Sequence, residues 1–477
     1  MKDFDVQDFI RFYDKLSDSG LTWGDYAEQL TYLIFLKMDY EYTLNPYNMT
    51  SKISPKYNWN SLKSKSGKKL EKHYQEILET LGEQSGLIGK IFRKSQNDFK
   101  NPSTLEKLIW EVNEIEYWVG LDVKQKGLLF ETVLENHART MKTNSAEFPT
   151  PLELAKAITR VLNIIPDKTI HDCACGTGRF FMTCHDYIIN NFKLDNRQKK
   201  KLKSEIFSGA DISDRQVRFC LMNLIMHGIT DDEKIIESTD SLLKENSEKF
   251  DFVLVDPPFG KKSSGGSKNK ETYERQDFWK ITSDKHLNFV QHVNTLLRID
   301  GKAVIIVPDN VLFAKGGKII RENLLKHCDF HTILRLPTGI LHKPNSLASI
   351  LFFDRKRARP DGKAWTERIW VYDLRAEKFF TPKKNPICES DFDDFIKCFN
   401  AKNIHDRKKS KRFKSFSYRT IMKRENTNMN FPTWIEDEET KKLKNLPPPK
   451  ILGAKILDNL QSTVTSMTKL MLELEKI

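Results

Sequence analysis

The segment FDFVLVDPPFG, residues 250–260, places an acid, two prolines and an aromatic ring in succession at the end of an apolar run. Two consecutive prolines have no N–H to donate, so Asp256-Pro257-Pro258-Phe259 reads as a rigid turn whose carbonyls are free to accept. An amino group on an aromatic ring is a poor nucleophile, because its lone pair is delocalised into the ring. If the Asp256 carboxylate and the Pro257 carbonyl both accept its N–H bonds, the nitrogen is drawn toward tetrahedral geometry and can aim its lone pair at a methyl sulfonium. Phe259 then supplies a face for the base. A Pro-Pro turn is also ordinary loop punctuation, so the weight of this reading rests on what precedes it.

What precedes it is TIHDCACGTGRFF, residues 169–181, which reads as a strand ending at Asp172, a tight turn and a helix from near Arg179. Gly176 and Gly178 let the backbone pass close to a ligand where a Cβ would intrude. Phe181 stands where the dinucleotide fingerprint G-x-G-x-x-G needs its last glycine, which points away from a pyrophosphate and toward an amino acid or nucleoside ligand. The next strand, in IFSGADIS, ends with Asp211, where doubly wound folds place an acid on ribose hydroxyls. EKIIESTDSLL then sets Asp240 and Ser241 at the end of a third short strand, where a carboxylate could accept from an adenine amino group. Any one of these acids, taken alone, reads as a helix cap. As a set at successive strand ends, they suit an adenosyl ligand lying across those ends.

These turns need a scaffold. Short β-rich runs alternate with amphipathic helical stretches after about residue 120, as a parallel sheet with crossover helices requires. The expected strands are 169–172, 206–211, 252–256, 303–308, 331–336 and 350–354, giving an α/β, doubly wound fold whose ligand lies beyond the carboxyl ends. The last two are joined by too short a stretch for a crossover helix and are expected as an antiparallel pair at one sheet edge. Before residue 120 the pattern is helical, in DFIRFYDKLSDSG, WGDYAEQLTYLIFLKMDYEY and KKLEKHYQEILETLG. Two stretches read as mobile: the Gly, Ser and Lys rich 260–276 and the basic run 405–424. After NLPPPK, residues Leu457, Leu460, Val464, Met467, Met471 and Leu474 form a heptad seam that needs a partner helix.

The chain has 477 residues and a formal net charge of +13, from 78 Lys and Arg against 65 Asp and Glu. That balance favours a polyanionic partner such as nucleic acid. The seven cysteines, at irregular spacings, match neither a disulfide framework nor a zinc site and read as reduced thiols. No apolar stretch approaches the length of a bilayer span and the opening lacks an apolar signal core, so the expected location is cytoplasmic.

Taken together, the segments GLTWGDYAEQLTYLIFLKM (20–38), EFPTPLELAKAI (147–158), ACGTG (174–178), GADISDRQVRFCLMNLIMHGI (209–229), DPPFG, VPDNVLF and LRLPTGI resemble the modification subunits of type I restriction-modification systems, which are adenine-N6 DNA methyltransferases. The resemblance implies a Rossmann-like methyltransferase domain with an N-terminal helical domain and a C-terminal helix, divided as 1–122, 123–380, a basic tail region 381–440 and a docking helix 441–477. It implies S-adenosylmethionine as cofactor, contacted by Glu147, Phe148, Pro149, Thr150, Pro151 and Leu152, by Asp172 and Ala174, by Gly176, Thr177, Gly178 and Arg179, by Asp211 on its ribose, and by Asp240 and Ser241. Asp256, Pro257, Pro258 and Phe259 would receive an extruded adenine.

The family usually has Asn in place of Asp256, Pro in place of Cys173 and a small residue in place of Arg179. Other amino-methyltransferases use Asp at the first position, so activity is expected to survive, and Arg179 is expected to pair with a nearby acid or with the cofactor carboxylate. The implied partners are double-stranded DNA, a specificity subunit and a restriction subunit, with two modification subunits per specificity subunit. The same turn chemistry would serve a methyltransferase acting on RNA or on a protein glutamine amide. An assembly subunit of a DNA defence complex with weakened catalysis is the alternative from another class.

Overall fold

The computed structural model describes residues 21–115, 117–140, 149–230, 232–243, 245–259, 275–341, 347–375, 380–381, 385–435 and 449–474. Among these described residues nine strands form one sheet: β1 (Ile170–Asp172), β2 (Phe207–Asp211), β3 (Ile236–Ser238), β4 (Phe250–Val255), β5 (Leu297–Pro308), β6 (Cys328–Leu336), β7 (Ala348–Arg355), β8 (Arg368–Asp373) and β9 (Phe413–Ser417). Their order is β3-β2-β1-β4-β5-β7-β6-β8-β9. The first five run parallel, and the order reverses between β1 and β4. At such a reversal the neighbouring connections diverge and leave a crevice beyond the carboxyl ends. The expected strands all form.

The expected β6–β7 pair is antiparallel, but it is not at an edge. β7 lies between β5 and β6, β8 pairs parallel with β6, and β9 closes that side antiparallel to β8. The edge position fails because β6 is buried along nearly its whole length, and the run Ile369–Tyr372 supplies the apolar strand that covers it.

The basic run 405–424, expected to be mobile, is ordered for the same reason. Phe413 stacks on Trp370 at 4.8 Å, and Arg407 is buried over the Phe399 ring at 4.5 Å while donating to Thr332 Oγ1 at 2.9 Å. The aromatic rings interspersed among the lysines carry the packing. In the other stretch expected to be mobile, residues 260–274 lie outside the described residues. Arg275, by contrast, is buried and grips Asp277 with two 2.7 Å bonds.

Upstream, the helix Trp23–Tyr42 starts at Thr22, whose side chain forms a reciprocal capping box with Asp25. The expected helix over KKLEKHYQEILETLG is found as Gly67–Gly82, and DFIRFYDKLSDSG lies outside the described residues. The helical region shares one apolar core with the sheet. A charged seam joins them on the helix Asp214–Met226, where buried Arg218 pairs with Glu28 and donates to the Arg93 carbonyl at 2.7 Å. Lys94 meets Asp214 at 2.7 Å across the same seam.

The helix Pro449–Leu474 carries the heptad seam as expected. Leu457, Leu460, Val464, Met467 and Met471 stay about 60% exposed on it, at 61, 59, 64, 66 and 60%. All seven cysteines are free thiols. Among the described residues no helix is long and apolar enough to cross a membrane.

Candidate functional site

β1 and β4 are adjacent and parallel, with Ile170 beside Phe252 and His171 beside Val253. The glycine turn and the Asp-Pro-Pro-Phe turn therefore leave the same edge of the sheet from neighbouring strands. Asp172 closes β1 in a buried position and accepts the Ala174 N–H at 3.0 Å. Burial pushes its carboxyl well above the usual range, and the charges of Asp211 and Asp256 push it the same way. That mutual influence places three of the sequence-predicted acids in one electrostatic neighbourhood.

Asp211, at the end of β2, holds the glycine turn to its own strand. One oxygen accepts the Gly176 N–H at 3.1 Å and the other the Ser213 N–H at 2.9 Å. Gly178 needs to be glycine, since its φ is 81° and a Cβ there would meet Cys220 Sγ at 2.8 Å. Gly176, with φ 53°, has nothing within 4 Å of where its Cβ would stand. That side of the turn is open. At the end of β3, Ser241 donates to the Cys173 carbonyl at 2.7 Å and Asp240 accepts the Leu242 N–H at 3.0 Å. The Asp240–Ser241 turn is thus seated against the residue that follows β1.

Thr150 joins the two turns. Its hydroxyl donates to Asp256 Oδ2 at 2.9 Å, and its carbonyl accepts from Arg179 Nη1 at 2.7 Å. Arg179 is only 3% exposed and pairs with Glu135 at 2.6 Å and Glu131 at 3.1 Å. The expected pairing with a nearby acid is therefore found, and both acids lie on the helix Val123–Thr140. Thr177 is buried, and its carbonyl accepts from Asn223 Nδ2 at 2.9 Å, which also reaches Glu131 at 2.7 Å. Pro151 and Leu152, with Arg179, Glu135 and Gly339, line a cavity of about 360 Å³ beside this junction. Pro149 is half-buried next to it. Glu147 and Phe148 lie outside the described residues.

In the Asp-Pro-Pro-Phe turn, Pro257 is buried while Asp256, Pro258 and Phe259 are half-buried. Phe259 meets the His286 ring edge-on, with centroids 5.2 Å apart and planes at 66°. Glu131, Glu135, Asn223, Arg275 and His286 escaped the sequence reading. Glu131 and Glu135 carry a faint local signal, two acids one helical turn apart on one face; the others carry none. Among the described residues no cluster of His, Cys, Asp and Glu could hold a metal ion.

Comparison with known proteins adds the following. A family model described as N-6 DNA Methylase matches residues 124–443. The type I restriction enzyme EcoKI methylase subunit of Escherichia coli (strain K12) is 28% identical over 506 residues, covering 97% of this chain and 93% of that protein. The StySPI methylase subunit of Salmonella potsdam is 28% identical over 505 residues, with the same coverage of 97% and 93%. Among solved structures, a chain from a study of complex assembly and conformational transition of the type I R-M system aligns with TM-score 0.75 at 22% identity, covering 99% of this chain and 98% of that one. The crystal structure of the EcoKI M protein aligns with TM-score 0.55 at 24% identity, covering 98% and 96%. At these identities the structural likeness speaks for the fold.

Proposed function

The chain belongs to the N-6 DNA methylase family, an adenine-N6 DNA methyltransferase of the type I methylase kind, and from that premise we propose how its residues carry out the transfer and with which partners. The observation that carries the reading is the emergence of the glycine turn and the Asp256–Phe259 turn side by side from adjacent parallel strands, bridged by Thr150.

The residues at these strand ends fit S-adenosylmethionine. The open side of Gly176 accommodates close approach, and Asp211 stands where ribose hydroxyls are gripped. Asp240 and Ser241 would hold the adenine end, and residues 149–152, with Ala174 and Thr177, would hold the cofactor at the glycine turn. Arg179 acts from beneath, fixing the Thr150 carbonyl. When bound there, the cofactor supplies a methyl group activated on a sulfonium.

The protein does the rest by placement. A target adenine extruded from double-stranded DNA stacks on Phe259, at an unstacking cost of about a few kcal/mol, offset by that stacking and by basic contacts to phosphates. The Asp256 carboxylate and the Pro257 carbonyl accept the amino N–H bonds, Pro258 keeps the turn rigid, and the nitrogen lone pair is aimed in line. Thr150 orients the carboxylate through Oδ2. Asp256, unlike the amide usual at this position, can also take the proton lost after transfer.

By the resemblance to type I modification subunits, the partners would be a specificity subunit that reads the DNA sequence and a restriction subunit that cleaves, with two modification subunits per specificity subunit. The exposed apolar face of the helix Pro449–Leu474 suits a helix of the specificity subunit.

The test supplies S-adenosylmethionine with a labelled methyl group to the chain alone and with its specificity subunit. Label is expected in adenine of duplex DNA and only in the complex. Label confined to RNA or to protein glutamine would overturn the reading. D256A should abolish transfer while calorimetry still registers cofactor binding, and D256N should retain activity.

A further inference from the structure

The helix Lys285–Leu296 begins where the chain returns to the site after β4, and its cap is unusual in reach. Asp284 Oδ1 accepts the His286 N–H at 3.0 Å and the Leu287 N–H at 3.3 Å, the usual work of an N-cap. Its second oxygen accepts from Asn310 Nδ2 at 3.1 Å, beyond the end of β5. One carboxylate therefore ties the helix start to the carboxyl end of the strand next to β4.

His286 is the second residue of that helix and is only 6% exposed. Nδ1 lies 3.8 Å from Asp284 Oδ1. Burial alone would push the Asp284 carboxyl up, but the nearby His286 ring and the bonds from the helix N–H groups hold it below its usual range. Nε2 is buried with no hydrogen-bond partner among the described residues. What the ring does contact is Phe259, edge to face at 5.2 Å, in the orientation that aromatic quadrupoles favour.

We propose that His286 is a positioning residue for the target base: its backbone is fixed by the Asp284 cap, itself tied to Asn310, its ring is buried beside that carboxylate, and its ring edge sets the orientation of Phe259. The role rests on the methyl-transfer reading above. Phe259 sits in a turn at the mouth of the crevice and is only half-buried, so a neighbour must fix its plane if an extruded base is to stack with its amino nitrogen at Asp256. A shift of about 1 Å in such a placement is enough to cost on the order of a hundredfold in rate.

The experiment uses the full chain assembled with its specificity subunit on a duplex carrying 2-aminopurine at the target position. The emission of this base rises when it leaves the helix stack and is quenched again on an aromatic face. H286A and H286Q, each first matched to the parent in S-adenosylmethionine affinity, are expected to change that emission. On adenine substrate they should lower the single-turnover rate by roughly tenfold or more and leave the DNA KM near parental. H286F, which restores a ring edge, should recover most of both. Parental emission and rate in H286A and H286Q would overturn the proposal. F259A reads the underlying site separately. If F259A is parental, the stacking reading itself falls, whereas an impaired F259A beside parental His286 variants removes only the role of His286.

Discussion

Thr150 donates its hydroxyl to Asp256 Oδ2 at 2.9 Å from a segment 106 residues upstream. Because Arg179 holds the Thr150 carbonyl at 2.7 Å, the side chain that donates to the Asp256 carboxylate is anchored to the helix that starts at the glycine turn. The glycine turn and the Asp-Pro-Pro-Phe turn are therefore mechanically connected through one residue.

T150V removes that donor with little change in shape. A hydrogen bond to a charged group contributes about 1.5–3 kcal/mol, which corresponds to roughly a tenfold to hundredfold loss of rate. Single-turnover methylation by the assembled complex, measured at saturating S-adenosylmethionine, should show this loss. A parental rate in T150V would mean that the bond has no part in catalysis.

R179M leaves Glu131 and Glu135 facing each other without their shared cation. Removing one partner of a buried ion pair costs about 3–5 kcal/mol, so the urea midpoint of the variant should fall clearly. R179K keeps the charge but lacks the fork that reaches Glu135, Glu131 and Thr150 together, and should fall in between. Equal midpoints for all three proteins would show the cluster to be dispensable.

His171 makes the fold sensitive to acid. It is stacked on Phe250 at 4.2 Å, bonded to Ser208 at 2.8 Å, and its pKa is lowered by burial from 6.5 to about 3. His292 is lowered to about 3 as well, first by burial and then by the charge of Arg275. The unfolded chain protonates these rings below about pH 6.5 while the folded chain cannot. Stability is thus complete above that value and lost as pH falls toward the folded pKa, by at most about 1.4 kcal/mol per pH unit per group. Urea midpoints measured downward from neutral pH should decline, and H171F, which keeps the stack, should decline less steeply. The same slope in both proteins would remove His171 from the account.

Deleting residues 450–477 should abolish co-purification with the specificity subunit while the remaining chain still binds S-adenosylmethionine, because the exposed seam at Leu457, Leu460, Val464, Met467 and Met471 would be gone. A pull-down that recovers the specificity subunit unchanged would place the docking surface elsewhere.

The candidate site was legible in the sequence because its signals are local. The rigidity of Pro257-Pro258, the left-handed tolerance of Gly176 and Gly178, and an acid such as Asp211 after an apolar run all express backbone preferences that act within a few residues. The short link between β6 and β7 likewise announced their antiparallel pairing, since no crossover fits it. What stayed hidden depended on register and strand order. β9 was masked by the basic run that leads into it and declared itself only when Phe413 found Trp370. Arg179 looked anomalous until Glu135, 44 residues earlier, came beside it. The sequence by itself determined which residues could do the chemistry. Only the tertiary structure decided who holds them, since contacts such as Thr150 to Asp256 or His286 to Phe259 exist only once the sheet has brought distant strand ends and helix starts to one edge.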